Sequence, residues 1–403
     1  MPNPSVHTPS RRARPAVLAA GTVVAVLGAV LGLWTPSASA GAGPVALGRP
    51  PSAVGASHGA TPAAALVRRV TASKASVSPA ATKTGVSKSG APKTAATPPV
   101  VGAVVSGRNT LTYCDEAGQA ETLDVYEPSP LPTAPVPAVL YVHGGGWVQG
   151  DSTLAPGSLV ERVAMAMVAR GWIFVSINYR LAPQFRWPAQ IDDASCALRF
   201  LRAAAGPLHI ASGHIGVMGD SAGGQIVSLL GLAGGSAGSS PGRSAGFDAG
   251  PYASQSTAVE AVVDLYGPAD LTTPDWADAP LIQVYAPQAF GTKLGPGAPG
   301  AATTAALVAA SPVTYVGGHA PPFLIVQGEQ DTVVPPDQSE ELAARLGAAG
   351  DGPTLVMVDH AEHGLLPAAG GAVTPSISAL AAETTAFLVR HLAPPRPGRT
   401  GLS

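Results

Sequence analysis

The sequence predicts an α/β fold, a mostly parallel central sheet with helices on both faces, behind a long N-terminal segment that cannot fold. Three observations predict it. From about Arg108 to Leu392, short β-prone runs alternate with helical ones, the pattern of strands joined by crossover helices. Several of the runs are nearly continuous in apolar residues, as strands buried on both faces require. The third is a charge split: residues 1–114 carry eleven of the 23 Lys/Arg and no acid, the first carboxylate being Asp115. Beyond it, twelve basic side chains face all 25 acidic ones, so the net charge of −2 is an average over a basic segment and an acidic domain. Neither number points to nucleic acid as a partner. Two cysteines exclude a disulfide-dense scaffold and a Cys-rich zinc module. The 48 glycines lack an every-third-residue period, which excludes a collagen-like rod.

The first element is a leader. Arg11, Arg12 and Arg14 precede an uncharged run over 16–34, then Pro36 and the small residues Ala38-Ser39-Ala40. This reads as a secretory signal peptide over 1–40, cut after Ala40. A retained membrane anchor is the rival reading, since about 19 apolar residues can span a bilayer. The run is mostly Ala, Val and Gly, however, and a cleavage site follows it. Ser10-Arg11-Arg12 leaves both the general secretory and the twin-arginine routes open. From Thr35 to Thr112 there is no aromatic residue, Ile, Met, Asp or Glu. Burial there cannot offset the entropy of ordering the chain, so 41–107 reads as a disordered basic linker. It is either a spacer or a stalk that touches an anionic cell envelope.

The α/β domain spans 108–393. Strands are expected at 121–126, 136–142, 172–178, 214–218, 259–266, 322–327 and 354–358, and helices at 158–169, 189–203, 222–232, 337–348 and 376–392. A Gly/Ser-rich insertion occupies 234–256. The stretch 271–310, with Trp276, Tyr285 and Phe290, is either a cap over the strand ends or a floppy insertion. Residues 394–403 form a disordered tail. Ligands of open α/β sheets bind at the carboxyl ends of the strands, so chemistry belongs just after each run.

Four serines sit in G-x-S-x-G patterns: Ser221, Ser236, Ser240 and Ser244. In a chain this rich in Gly and Ser the pattern alone is weak. Only Ser221 has a strand before it and a helix after it, the context in which a tight turn projects Oγ above the sheet. Ser221 is the candidate nucleophile. His143-Gly144-Gly145-Gly146-Trp147 follows the 136–142 strand, where bare backbone N–H groups can approach a substrate oxygen. The N–H groups of Gly144, Gly145 and Ala222 are the expected oxyanion hole. A phosphate loop is the rival reading, but the Gly-Lys-Ser/Thr ending is missing.

The chain order Ser, acid, His selects Asp331 after 322–327 and His363 after 354–358, with Glu329 and His360 as competitors. No third ligand accompanies His360 and His363 as a metal pair. His143 reads as a loop-shaping residue.

With these residues placed, the domain resembles the α/β-hydrolase fold, on the hormone-sensitive-lipase and feruloyl-esterase-like carboxylesterase branch. The resemblance runs from about Tyr113 to Leu392. Its motifs are HGGGW at 143–147, YRLAP at 179–183, GDSAGG at 219–224, YGPADL at 266–271 and the acid and His runs. It implies serine-ester hydrolysis with neither metal nor organic cofactor, on a small-molecule or polymer-borne ester. Gln327 stands where the family usually shows His, the one departure near the site. The resemblance leaves the acyl group and the oligomeric state open. The same acyl-enzyme could serve an acyltransferase, and a hydrolase fold can persist as a non-catalytic binding module. All three triad residue types are present, which favours the hydrolase.

Cys114 and Cys196 lie 82 residues apart, one before the first expected strand and one on an expected helix. An even count in an exported chain points to a disulfide, with two buried thiols as the alternative.

Overall fold

A computed structural model describes residues 107–116, 118–235, 250–296 and 301–393. The expected signal peptide, all but the last residue of the linker, the tail, and Ser236, Ser240 and Ser244 lie outside the described residues. Eight strands form one sheet: β1 (Gly107–Glu116), β2 (Gln119–Glu127), β3 (Val136–Val142), β4 (Ile173–Ile177), β5 (Ile210–Asp220), β6 (Val262–Leu265), β7 (Phe323–Gly328) and β8 (Thr354–Val358). Their spatial order is β1-β2-β4-β3-β5-β6-β7-β8. β1 and β2 pair antiparallel, as do β2 and β4, and every other pair is parallel.

Helices α1 (Leu159–Ala169) and α7 (Ile377–Leu392) cover one face; α2 (Ala189–Ala203), α3 (Ala222–Ala233) and α6 (Pro336–Ala348) cover the other. The strand pleat explains the division. Ala138, Leu140 and Val142 of β3 face the α2/α3 side, and Val139 and Tyr141 face the α1/α7 side. Because both faces are covered, the central strands are apolar throughout, which made them legible in the sequence. Two helices start on serine caps. Ser158 accepts from the Glu161 N–H at 3.1 Å, and Ser376 from the Ala379 N–H at 3.3 Å.

The expected strands and helices are all found, with ends displaced by a few residues. One feature differs from expectation, and one pair of alternatives is narrowed. The strand β1 was not predicted, because it is an edge strand whose Arg108, Asn109, Thr110 and Thr112 carry no apolar period. Cys114 therefore lies within a strand rather than before the first one. The described residues of the 271–310 stretch hold a 3₁₀ turn (Pro274–Asp278), α4 (Ile282–Phe290) and α5 (Ala301–Ala309).

A disulfide joins Cys114 of β1 to Cys196 of α2, with Cα atoms 6.5 Å apart. It ties the antiparallel edge of the sheet to the helix packed beneath it. Closing a loop of 82 residues contributes about 4 kcal/mol on the chain-entropy view. Replacing both cysteines with serine should lower the unfolding free energy by about that amount, read from urea denaturation. An identical midpoint with and without reductant would mean that no such bond operates.

Candidate active site

Ser221 sits between β5 and α3 at φ 51°, ψ −119°, a conformation that costs free energy for a residue with a Cβ. The turn is held by the Ser221 N–H, which donates to the Leu265 carbonyl at 2.8 Å. Two glycines make its tightness feasible. A Cβ on Gly219 would lie 2.3 Å from the Gly223 carbonyl oxygen, and one on Gly223 would lie 2.0 Å from that of Val142. Ser221 occupies the N-cap position of α3, yet its hydroxyl caps nothing in the helix. The hydroxyl is turned to His363 instead.

The loop after β3 packs against this turn. Asp220 Oδ1 accepts from the Gly144 N–H at 2.9 Å and from the Tyr141 hydroxyl at 2.5 Å. The expectation that Gly144 supplies an oxyanion donor therefore fails, because its N–H is spent on the carboxylate beside the serine. Among the described residues, no acceptor engages the N–H groups of Gly145, Gly146 or Ala222. Gly145 and Gly146 have φ of 108° and 61°, which other residues adopt at a cost. A Cβ on Gly145 would meet the Gln149 carbonyl oxygen at 2.1 Å, and one on Gly146 would meet the Tyr285 ring at 2.8 Å. Trp147 is fully buried and donates Nε1–H to Gln225 Oε1 at 3.0 Å. The Gln225 amide also donates to the Ala310 carbonyl at 2.6 Å, so one α3 side chain binds both the glycine loop and the 271–310 segment.

His143 shapes this loop. Its ring stacks on Tyr179 at 4.2 Å, and burial pushes its pKa down although Gly144 and nearby acids act the other way. The Tyr179 hydroxyl donates to the His143 carbonyl at 3.0 Å. The YRLAP segment that carries Tyr179 is fixed by a buried pair. Asp193 of α2 accepts from the Arg180 backbone N–H at 2.8 Å and from its guanidinium at 2.7 Å. The desolvation cost of such a pair is met only because its hydrogen bonds are complete.

The loops after β7 and β8 bring the other two side chains in. His363 Nε2 lies 3.0 Å from Ser221 Oγ, and its Nδ1 lies 2.8 Å from Asp331 Oδ2. Asp331 is buried, and its Oδ1 accepts from the N–H groups of Val333 and Val334, both at 2.8 Å. Gln327 donates to Asp331 Oδ2 at 3.2 Å, and its own oxygen accepts from the Ser339 hydroxyl at 2.8 Å. The residue that departs from the family pattern thus holds the acid. Burial disfavours the His363 imidazolium, but Asp331, Asp220 and Glu362 outweigh it and its pKa is raised. Tyr266 meets the imidazole edge-on at 5.0 Å.

The structure thus brings Ser221, Asp331 and His363 into one hydrogen-bonded line; Ala222 follows the serine in the chain, and Gly145 follows Gly144, whose N–H binds Asp220. Glu329 is exposed, and His360 lies against Asp359 and Gly371, so neither competitor enters the line. Sequence reasoning missed Gly146, Asp220 and Gln225. The signal for Asp220 was its place beside the serine in GDSAGG; nothing local marked Gln225. Among the described residues, no group of three His, Cys, Asp or Glu side chains could hold a metal ion.

The BD-FAE family model matches residues 123–346, more than half of the chain. Esterase LipC of Mycobacterium tuberculosis is 31% identical over 268 residues, covering 62% of this chain and 59% of LipC. Esterase LipQ of the same organism is 31% identical over 236 residues, covering 58% and 51%. The chain thus spans about half to three-fifths of the length of these relatives. Two solved structures share the fold. A truncated carbohydrate esterase from gut microbiota superposes with a TM-score of 0.53 at 22% identity, over 72% of this chain and 98% of that one. A thermophilic esterase from Thermogutta terrifontis superposes with 0.54 at 19% identity, over 72% and 96%. By the matched model, the motifs and the sheet order, the chain belongs to the BD-FAE family and has the α/β-hydrolase fold.

Proposed function

We propose that the protein is a serine carboxylesterase that works through an acyl-enzyme. The observation that carries this reading is the line from Ser221 Oγ through His363 to Asp331, with hydrogen-bond distances of 3.0 and 2.8 Å. Named esterases among the relatives support the same class of reaction.

Each residue has one task in this scheme. Ser221 Oγ attacks the ester carbonyl carbon while its proton passes to His363 Nε2. The carbonyl oxygen gains the electron pair, and the N–H groups of Gly145, Gly146 and Ala222 are aimed where that charge develops. Each such donor typically contributes about 3 kcal/mol to the transition state. The intermediate collapses, the C–O bond to the alcohol breaks, and His363 returns its proton to the departing oxygen. Water then repeats the sequence on the acyl-enzyme, releasing the acid. Asp331 holds His363 in the tautomer with Nδ1–H and stabilises the imidazolium without taking the proton. The leader over 1–40 directs export, which would place the enzyme outside the cell or at its envelope; there the basic linker meets anionic polymer.

Ser221→Ala should cut kcat on p-nitrophenyl acetate by about a millionfold. Turnover retained at the wild-type rate would overturn the assignment. A second expectation concerns pH. The base must be neutral to act, so activity is lost as pH falls through the His363 pKa. Because that pKa is raised, the acid limb of kcat/KM should lie above the ordinary histidine value of about 6.5. Asp331→Asn should move this limb to lower pH and reduce kcat by roughly ten-thousand-fold. A limb that does not move would assign the titration to another group.

A further inference from the structure

The esterase reading leaves open what sets the acyl group. We infer that Tyr285 is a specificity-determining residue: its ring is a fixed wall on the acyl side of the site and restricts the enzyme to short acyl groups. The inference rests on the proposed acyl-enzyme chemistry and adds the substrate class to it.

Contact comes first. A Cβ built on Gly146 would lie 2.8 Å from both Cγ and Cδ2 of Tyr285 and 3.0 Å from its Cβ. The ring therefore rests on the bare backbone of Gly146, whose N–H is one of the proposed oxyanion donors. A carbonyl oxygen bound by that N–H lies about 2.9 Å from its nitrogen, so substrate and ring meet the same residue. Tyr285 is only half buried, as a wall between packed protein and an open site would be.

Rigidity comes second. Helix α4 turns Ile282, Ala286 and Ala289 into the core, which leaves Tyr285 at the edge of that buried stripe. Its far end is pinned by Phe290, which packs edge-on against Trp147 at 4.9 Å and tilted against Trp187 at 5.6 Å. The Trp187 N–H also donates to the Ala289 carbonyl at 3.0 Å. Its near end is pinned by Gln283. That amide donates to the carbonyls of Trp276 and Leu294 at 3.1 and 3.0 Å and accepts from the Leu294 N–H at 2.9 Å. A ring on a helix fixed at both ends cannot easily move aside for a larger substrate.

The side of the site follows from the chemistry. The departing alcohol oxygen must reach His363 Nε2, so the alcohol lies towards His363 and the Tyr266 ring that flanks it. Tyr285 contacts the glycine loop and makes no ring contact with His363. The tetrahedral carbon has one remaining substituent, the acyl chain, and the Tyr285 wall borders it.

The test uses the full mature chain and two ester series: p-nitrophenyl esters from acetate to octanoate, and acetyl esters of alcohols of increasing size. Tyr285→Ala should raise the octanoate-to-acetate ratio of kcat/KM by roughly tenfold or more, the scale on which pocket contacts discriminate hydrocarbon length. Tyr285→Phe keeps the ring and should keep the wild-type ratio; Tyr285→Trp should lower it. The two aromatic variants keep the inference testable if the alanine variant does not fold. An acyl ratio that is the same in wild type, Trp and Ala variants overturns the role of Tyr285. So does a change confined to the alcohol series. A wild-type protein that cleaves no ester in either series overturns the esterase reading itself.

Discussion

Everything at the site depends on how closely the loop after β3 approaches the turn after β5. Gly223 allows the two backbones to touch, since a Cβ there would lie 2.0 Å from the Val142 carbonyl oxygen. Asp220 then fastens them, accepting from Gly144 on one side and sitting beside Ser221 on the other. The serine and the two candidate glycine donors come from chain segments about 75 residues apart, and their relative position must hold to a fraction of an ångström for transition-state charge to meet its donors. A half-buried carboxylate is a costly fastener in isolation. It is tolerable here because Asp220 also accepts from Tyr141, so the charge is met by aimed hydrogen bonds.

The same principle governs the acid. Asp331 is buried beside His363 but faces two backbone N–H groups and the Gln327 amide, so its negative charge is stabilised in place. The carbonyls of Gly328 and Val334 decide which end of that amide faces the acid, since they can only accept and both meet Nε2. The Ser339 hydroxyl, able to donate or accept, then gives its proton to Gln327 Oε1. Gln327, standing where the family usually shows His, thus supplies an amide donor to the acid. His363 then experiences two opposed effects, burial against its charge and acids in favour of it, and the acids prevail.

The fold and most of the site were legible because their signals are local. Continuous apolar runs mark strands covered on both faces, and β3 and β8 begin and end at 136–142 and 354–358 as expected. Ser221, Asp331 and His363 could be chosen because each follows such a run. What remained hidden depends on long-range contact. β1 is polar in sequence because its partners are acids of the next strand: Arg108 and Thr110 bind Asp124, and Asn109 binds Glu127. A run of three glycines carries no local sign of which N–H groups face the site. Only the Asp220 side chain, 76 residues away, shows which N–H is already occupied.

The placement of the 271–310 segment explains how chemistry and selectivity can separate in this fold. Ser221, Asp331 and His363 stand on loops at strand ends, where the sheet fixes them. Tyr285 stands on a helix inserted between β6 and β7, which no sheet hydrogen bond constrains. Side chains tie the insertion down instead, through Gln225, Gln283 and the Trp147–Phe290–Trp187 cluster. Substitutions on α4 can therefore reshape the wall while the serine, acid and histidine keep their distances, because few of the bonds that position them pass through the insertion. Gln225 and the Trp147–Phe290 contact are exceptions: each joins the glycine loop to the insertion, so a change there reaches both functions.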